Sequence, residues 1–317
     1  MAQSGVRRLR TLTGITAVLG LIGGLAACQS AIPKPKSASD KVEFTKLVDA
    51  ADVVSIEGEP DGRIRYAQRT GTISELRSLR THQPTELVRL PVATEDQRGL
   101  LGMATDKTGR LFASWVDTKG VLLVSRVEPG LSTTVWTGPP TAAKANGGHL
   151  VMDSRGQLVI AIGDLSQGGA RGVFYQLDPN GDSTQSPKVL SKGWNNPFAY
   201  DITGLDHLWV ADNSPGTQPE RIGRGDTGNI IGTLTIKTAP AGLAVLTETK
   251  ETTTVAICGF VSQRLDRWQI TDTVTLAQPL ATNCTTAVTL LPDGRLAYAT
   301  VDSIMISTEP IGLGQPK

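Results

Sequence analysis

The sequence predicts an all-β chain closed into a six-bladed β-propeller, on three observations. Turn formers are frequent, with 34 Gly and 18 Pro. Val, Thr and Leu dominate the apolar runs, and stretches with helical spacing are hard to find, the signature of many short strands. The third observation is a repeat: a turn containing Asp or Gly, a short apolar strand, then often another Asp. It reads DGRIRYAQ (61–68), DKTGRLFASWVD (106–117), DSRGQLVIAIGD (153–164), GLDHLWVADN (204–213) and DGRLAYATVD (293–302), with a weaker copy, TTTVAICG (252–259), that lacks the turn glycine.

Aligned on Ile64, Leu111, Leu158, Leu208, Val255 and Leu296, the copies are spaced by 47, 47, 50, 47 and 41 residues. A period of about 40–50 residues in a β-rich chain is that of four-stranded propeller blades. Six copies imply six blades, and such blades bury their faces only in a closed ring. A β-sandwich would not explain the period.

The N-terminus reads as an export signal. Arg7, Arg8 and Arg10 precede an apolar stretch from about Thr11 to Ala27, loosened by Gly14, Gly20, Gly23 and Gly24. The run is short and Gly-rich for a permanent span. It ends in Leu25-Ala26-Ala27-Cys28, small residues before a cleavage site followed at once by a cysteine. This resembles the bacterial lipobox, which implies a lipid on Cys28 and an anchor in the outer face of the cell membrane. The expected organisation is a signal peptide over 1–27, a lipidated N-terminus and flexible tether over 28–44, the propeller over 45–312 and a tail over 313–317. The tether assignment rests on the Pro/Ser-rich QSAIPKPKSASDK.

Export bears on the other cysteines. Cys258 and Cys284 remain as a pair that an oxidising compartment can keep bonded. Two separate buried thiols are the other possibility. The expectation is a disulfide joining adjacent blades.

Without residues 1–27 the chain carries 28 basic and 30 acidic residues. A net charge near −2 gives no electrostatic reason to expect a nucleic-acid partner. His82, His149 and His207 are scattered and lack metal-ligand spacing with Cys. No G-x-S-x-G elbow or P-loop is present.

Several segments, in order, resemble the soluble pyrroloquinoline quinone (PQQ)-dependent glucose/sorbosone dehydrogenases. They are QRTGTI (68–73), QRGLLGMATD (97–106), NGGHLVMDSRGQLVIAIGD (146–164), WNNPFAYDI (194–202), ADNSPGTQPERI (211–222), APAGLAVL (239–246) and LLPDGRLAYAT (290–300). The resemblance implies a six-bladed propeller, PQQ and calcium as cofactors, and sugar oxidation at C1 with a histidine just before N-G-G as general base. A neutral imidazole of tuned pKa is what that proton transfer needs.

Carried over residue by residue, the resemblance implies that Asp164 orients the base. It places Gln97, Asn146, Asn195, Asn196, Ser214 and Pro215 at the cofactor, with calcium held near the Ser214-Pro215-Gly216 turn. These residues, with Ala145, are expected at one mouth of the central channel.

The chain departs from the pattern where chemistry is concentrated. The base position is Ala145, and a methyl group accepts no proton. His149 is the one nearby substitute; an ordinary strand histidine is the other reading. Asn195 stands where the family has Arg, TNCTTAV (282–288) replaces an Arg-rich loop, and Pro219 replaces an Asp. PQQ carries three carboxylates, which call for cations. The sequence therefore reads as a cell-surface lipoprotein whose propeller has lost or reduced PQQ-dependent oxidation. In this reading it binds a small-molecule or protein ligand at the central channel. An active sugar dehydrogenase is the alternative.

Overall fold

A computed structural model describes residues 41–80, 82–168 and 171–312. The expected signal peptide, the expected lipidation site at Cys28, most of the expected tether and the 313–317 tail lie outside the described residues.

The described chain is all β, in six four-stranded antiparallel sheets. β1 (Phe44–Asp49) stands apart at the start. Blade 1 follows as β2 (Val53–Gly58), β3 (Ile64–Gln68), β4 (Thr72–Leu76) and β5 (Thr85–Arg89). Blade 2 is β6 (Leu100–Thr105), β7 (Leu111–Val116), β8 (Val121–Glu128) and β9 (Leu131–Pro140). Blade 3 is β10 (Gly147–Met152), β11 (Leu158–Ile162), β12 (Gly172–Leu177) and β13 (Lys188–Trp194). Blade 4 is β14 (Ala199–Ile202), β15 (Leu208–Asp212), β16 (Arg221–Arg224) and β17 (Asn229–Thr233). Blade 5 is β18 (Pro240–Glu248), β19 (Thr253–Gly259), β20 (Arg264–Ile270) and β21 (Val274–Thr282). Blade 6 is β22 (Val288–Leu290), β23 (Leu296–Ala299) and β24 (Ser303–Ser307), completed by β1.

The six aligned residues fall on the second strands β3, β7, β11, β15, β19 and β23, one per blade. The first strands neighbour one another around the ring, β2 to β6 to β10 to β14 to β18 to β22 and back to β2, and so line the channel. Second strands are packed on both faces, which is why every residue of β7, β11 and β15 is buried. The buried apolar residues divide into six clusters, each shared by two consecutive blades. That is the burial a closed ring requires.

Closure uses a strand the repeat did not reveal. β1 pairs antiparallel with β24, from Phe44 opposite Ser307 to Asp49 opposite Ser303. The ring is thus fastened by main-chain hydrogen bonds between the two ends of the described chain, and β1 opens at the last residue assigned to the tether.

The repeat's turns link first and second strands. In blades 2 and 3 an Asp carboxylate gathers two backbone amides: Asp106 takes those of Thr108 and Arg110, and Asp153 those of Arg155 and Gln157. Three residues on, Gly156 adopts φ +78, where a side chain would be strained. The weak copy works differently. Thr249 Oγ1 receives the amides of Glu251 and Thr252, so a hydroxyl does the carboxylate's work and no glycine is needed.

Cys258 on β19 and Cys284 in the β21–β22 connector form a disulfide, with Cα atoms 5.5 Å apart. The bond ties the second strand of blade 5 to the segment that enters blade 6. Both cysteines are buried in the cluster those two blades share.

Candidate functional site

The inner strands start at one end of the channel, and a cavity of about 420 Å³ opens there. Its walls come from the residues that lead into the first strands: Asp52, Gln97, Asn146, Asn196, Ala239 and Thr286. Close approach of these strands has a sequence cause. A Cβ on Gly102 of GLLG would lie 2.6 Å from the Leu150 amide nitrogen and 3.0 Å from the His149 Cα. Only glycine lets β6 and β10 run this close.

Three of the expected residues, Gln97, Asn146 and Asn196, line the cavity. Gln97 Oε1 accepts the amide of Ala145 at 2.9 Å. Asn146 is buried, and its carboxamide is spent on its own loop and, at 3.3 Å, on the Gln97 carbonyl. It accepts the Ala142 amide at 2.8 Å and donates to the Ala142 carbonyl at 2.9 Å. Asn196 Oδ1 accepts the Gly147 amide at 3.2 Å. Ala145, at the implied base position, is held at φ +56. Such a backbone is strained for a residue with a Cβ, and strain of this kind collects at ligand sites.

The other expected residues stand behind the wall or outside it. Asp164 is buried; its carboxylate accepts the Ser166 amide at 3.0 Å, and its own amide donates to the Asn195 carbonyl at 2.7 Å. Asn195 is buried, with its amide on the Asp212 carboxylate and its side chain on the Asn213 carbonyl. The Ser214 amide donates to Glu220 Oε2 at 2.7 Å. Pro215 is exposed. The expectation that all of these face one cavity is thus met by three. Asp164, Asn195 and Ser214 hydrogen-bond to neighbouring loop residues, and Pro215 is exposed.

His149 lies on β10 and lines the channel below the mouth, among Val54, Met103 and Tyr200. Its ring centroid is 4.9 Å from that of Tyr200, edge to face, and 5.8 Å from that of Phe198. Tyr200 donates its hydroxyl hydrogen to the His149 carbonyl and accepts the Ala161 amide at 3.1 Å. Complete burial pushes the Tyr200 phenol pKa far up, so the hydroxyl stays neutral.

Several mouth residues were not singled out from the sequence. Arg69, in the turn after β3, is the one cation among the described lining residues; Asp52 and Asp96 line the cavity too, the Asp96 carboxylate paired with Arg98 at 3.7 Å. Its Nη1 already donates to the Thr94 carbonyl at 2.8 Å and, at longer range, to those of Arg98 and Asp96. Phe198 and the 60% exposed Phe260 add aromatic surface. Behind the wall, the fully buried Asp212 receives the Asn195 and Asn196 amides and the Arg221 guanidinium. Burial pushes the Asp212 carboxyl pKa up, against the pull of Arg221 and those amides. QRTG contained Arg69 and WNNPF contained Phe198, but nothing local shows that either reaches the channel. Among the described residues, no group of three or more His, Cys, Asp and Glu could hold a metal.

The arrangement can bind a polar molecule through carboxamides and aromatic faces. No protein-family model matches the chain, and no curated protein sequence matches it. Solved structures do. The PQQ-bound aldose sugar dehydrogenase of Streptomyces coelicolor is 17% identical with a TM-score of 0.70, covering 86% of this chain and 99% of its own. The apo soluble aldose sugar dehydrogenase of Escherichia coli is 18% identical with a TM-score of 0.67, covering 84% and 99%. A propeller described as a gluconolactonase is 16% identical with a TM-score of 0.56, covering 87% and 94%. At these identities the likeness establishes the shared fold, and the same fold carries more than one named activity.

Proposed function

We propose that this chain is an exported lipoprotein, anchored through Cys28, whose propeller binds a small-molecule or protein ligand at the channel mouth and has lost or reduced PQQ-dependent sugar oxidation. The observation that carries the reading is the charge of the mouth. Among the described residues that line it, Arg69 is the one cation, and it already donates to main-chain carbonyls. Of the two acids, Asp96 is paired with Arg98 at 3.7 Å, whereas Asp52 is in no ion pair among the described residues. A tricarboxylate would meet no free cation here and would be repelled by Asp52. PQQ therefore does not fit this lining, and no catalytic step is derived through it. Calcium fits no better at the Ser214 turn, whose carbonyl already accepts the Lys237 ammonium at 2.9 Å.

What the mouth suits is a neutral polar ligand. The Gln97 and Asn196 carboxamide oxygens take main-chain amides, which turns their NH₂ groups into the available donors. Phe198 and Phe260 offer faces for an apolar or sugar-like ring.

One observation favours the rival reading of an active dehydrogenase: His149 is among the residues that line the channel. The test is to incubate purified protein with PQQ and calcium, add aldoses, and follow reduction of a dye acceptor. The proposal expects no aldose-dependent reduction. Reduction that His149→Ala abolishes would establish the rival.

A further inference from the structure

We propose that the Ser214–Glu220 loop is a cation site whose permanent occupant is the side-chain ammonium of Lys237, and that taking this ammonium away leaves a site for a hard divalent cation. Lys237 Nζ lies 2.9 Å from Glu220 Oε1, 2.9 Å from the Ser214 carbonyl oxygen and 3.2 Å from that of Gln218. Two carbonyls and a carboxylate form an all-oxygen donor set, the kind that hard cations such as calcium take.

The set is built before any cation arrives. Glu220 is fully buried. Its Oε2 accepts the Ser214 amide at 2.7 Å and its Oε1 the Ala239 amide at 3.0 Å. The carboxylate is thus fixed by main chain from the loop before β16 and from the segment that enters β18. A buried carboxylate with no cation would be costly. Lys237 reaches it from the β17–β18 connector, and its exposed side chain leaves one side of the site open to water, where the remaining ligands of a metal ion would come from.

An ammonium and a metal ion cannot share these oxygens. The order of the mouth loop is then independent of metal, because the covalent chain supplies the cation. This inference stands on the Lys237 geometry alone and survives whether or not the mouth binds PQQ.

The experiment uses the whole mature protein as wild type, Lys237→Ala, and Lys237→Ala combined with Glu220→Gln. Each is melted in chelator and in millimolar calcium, and calcium binding is followed by titration calorimetry. The wild type is expected to melt at the same temperature in both media and to show no calcium heat. Lys237→Ala should melt several degrees lower in chelator, recover in calcium and bind it saturably. The added Glu220→Gln change should abolish the recovery. If Lys237→Ala does not accumulate, Lys237→Met is read in the same way. A wild type that loses stability in chelator overturns the proposal, as does a Lys237 variant that folds yet ignores calcium.

Discussion

Asp212, with none of its surface exposed, accepts the main-chain amides of Asn195 and Asn196 at 3.1 and 2.9 Å while the Arg221 guanidinium closes its remaining side. One carboxylate therefore holds the segment that enters blade 4 against the end of β15. Removing it would leave two buried amides and a partly buried cation without their acceptor. Asp212→Ala is expected to cost about 3 kcal/mol, read as a lower denaturant midpoint. An unchanged midpoint would show that the pair is not what fixes this loop.

The Cys258–Cys284 bond closes a loop with a sequence separation of 26 residues. In the chain-entropy model such a crosslink stabilises the fold by about 3 kcal/mol. Replacing both cysteines by Ala should lower the unfolding free energy by about that amount. The reduced wild type should melt like the double variant. Equal stability of the oxidised and reduced proteins would contradict this.

Asp206 joins the turns of two blades by accepting the Ser154 amide at 2.8 Å and the Ser154 hydroxyl at 2.7 Å. Partial burial raises its pKa, but those hydrogen bonds and the charges of Arg155 and Lys107 outweigh it, and the net shift is downward from 3.8. A depressed folded pKa means that the ionised carboxylate contributes stability above the unfolded value. That contribution is lost as pH falls through the folded value. The stability gap between wild type and Asp206→Asn should therefore be full at neutral pH and shrink below about pH 4. Denaturant titrations of both proteins across that range check it, and a gap that does not change with pH would refute it.

Gly102 lets β6 and β10 approach each other at the ring. Gly102→Ala should destabilise by about 1–3 kcal/mol, because the new methyl meets backbone and no flexible side chain can yield. Ala145→Gly, by contrast, relieves a left-handed residue and should be neutral or stabilising by up to about 1 kcal/mol. A reversed order of the two variants in a thermal melt would contradict both accounts.

The ring was legible because each blade repeats a tight turn followed by a buried second strand, so Ile64, Leu111, Leu158, Leu208, Val255 and Leu296 announce themselves by spacing. β1 was not, since a lone strand that pairs with β24 across the whole chain leaves no local pattern. At the mouth, resemblance located the right loops but not which side chains face the cavity. The Asp164 carboxylate and the Ser214 amide are used within their own loops, and the Asn195 side chain reaches the Asn213 carbonyl. The one cation among the described lining residues is Arg69, in a turn of another blade. Such directions follow from tertiary packing, which one sequence does not display.

The most direct test of the account is an equilibrium titration of PQQ into the purified protein, with calcium present and aldose oxidation followed in the same samples. The account predicts no saturable binding and no oxidation by the wild type, because Arg69, the one cation among the described lining residues, is already engaged with main-chain carbonyls. Tight, saturable PQQ binding accompanied by aldose oxidation in the unaltered protein would contradict it.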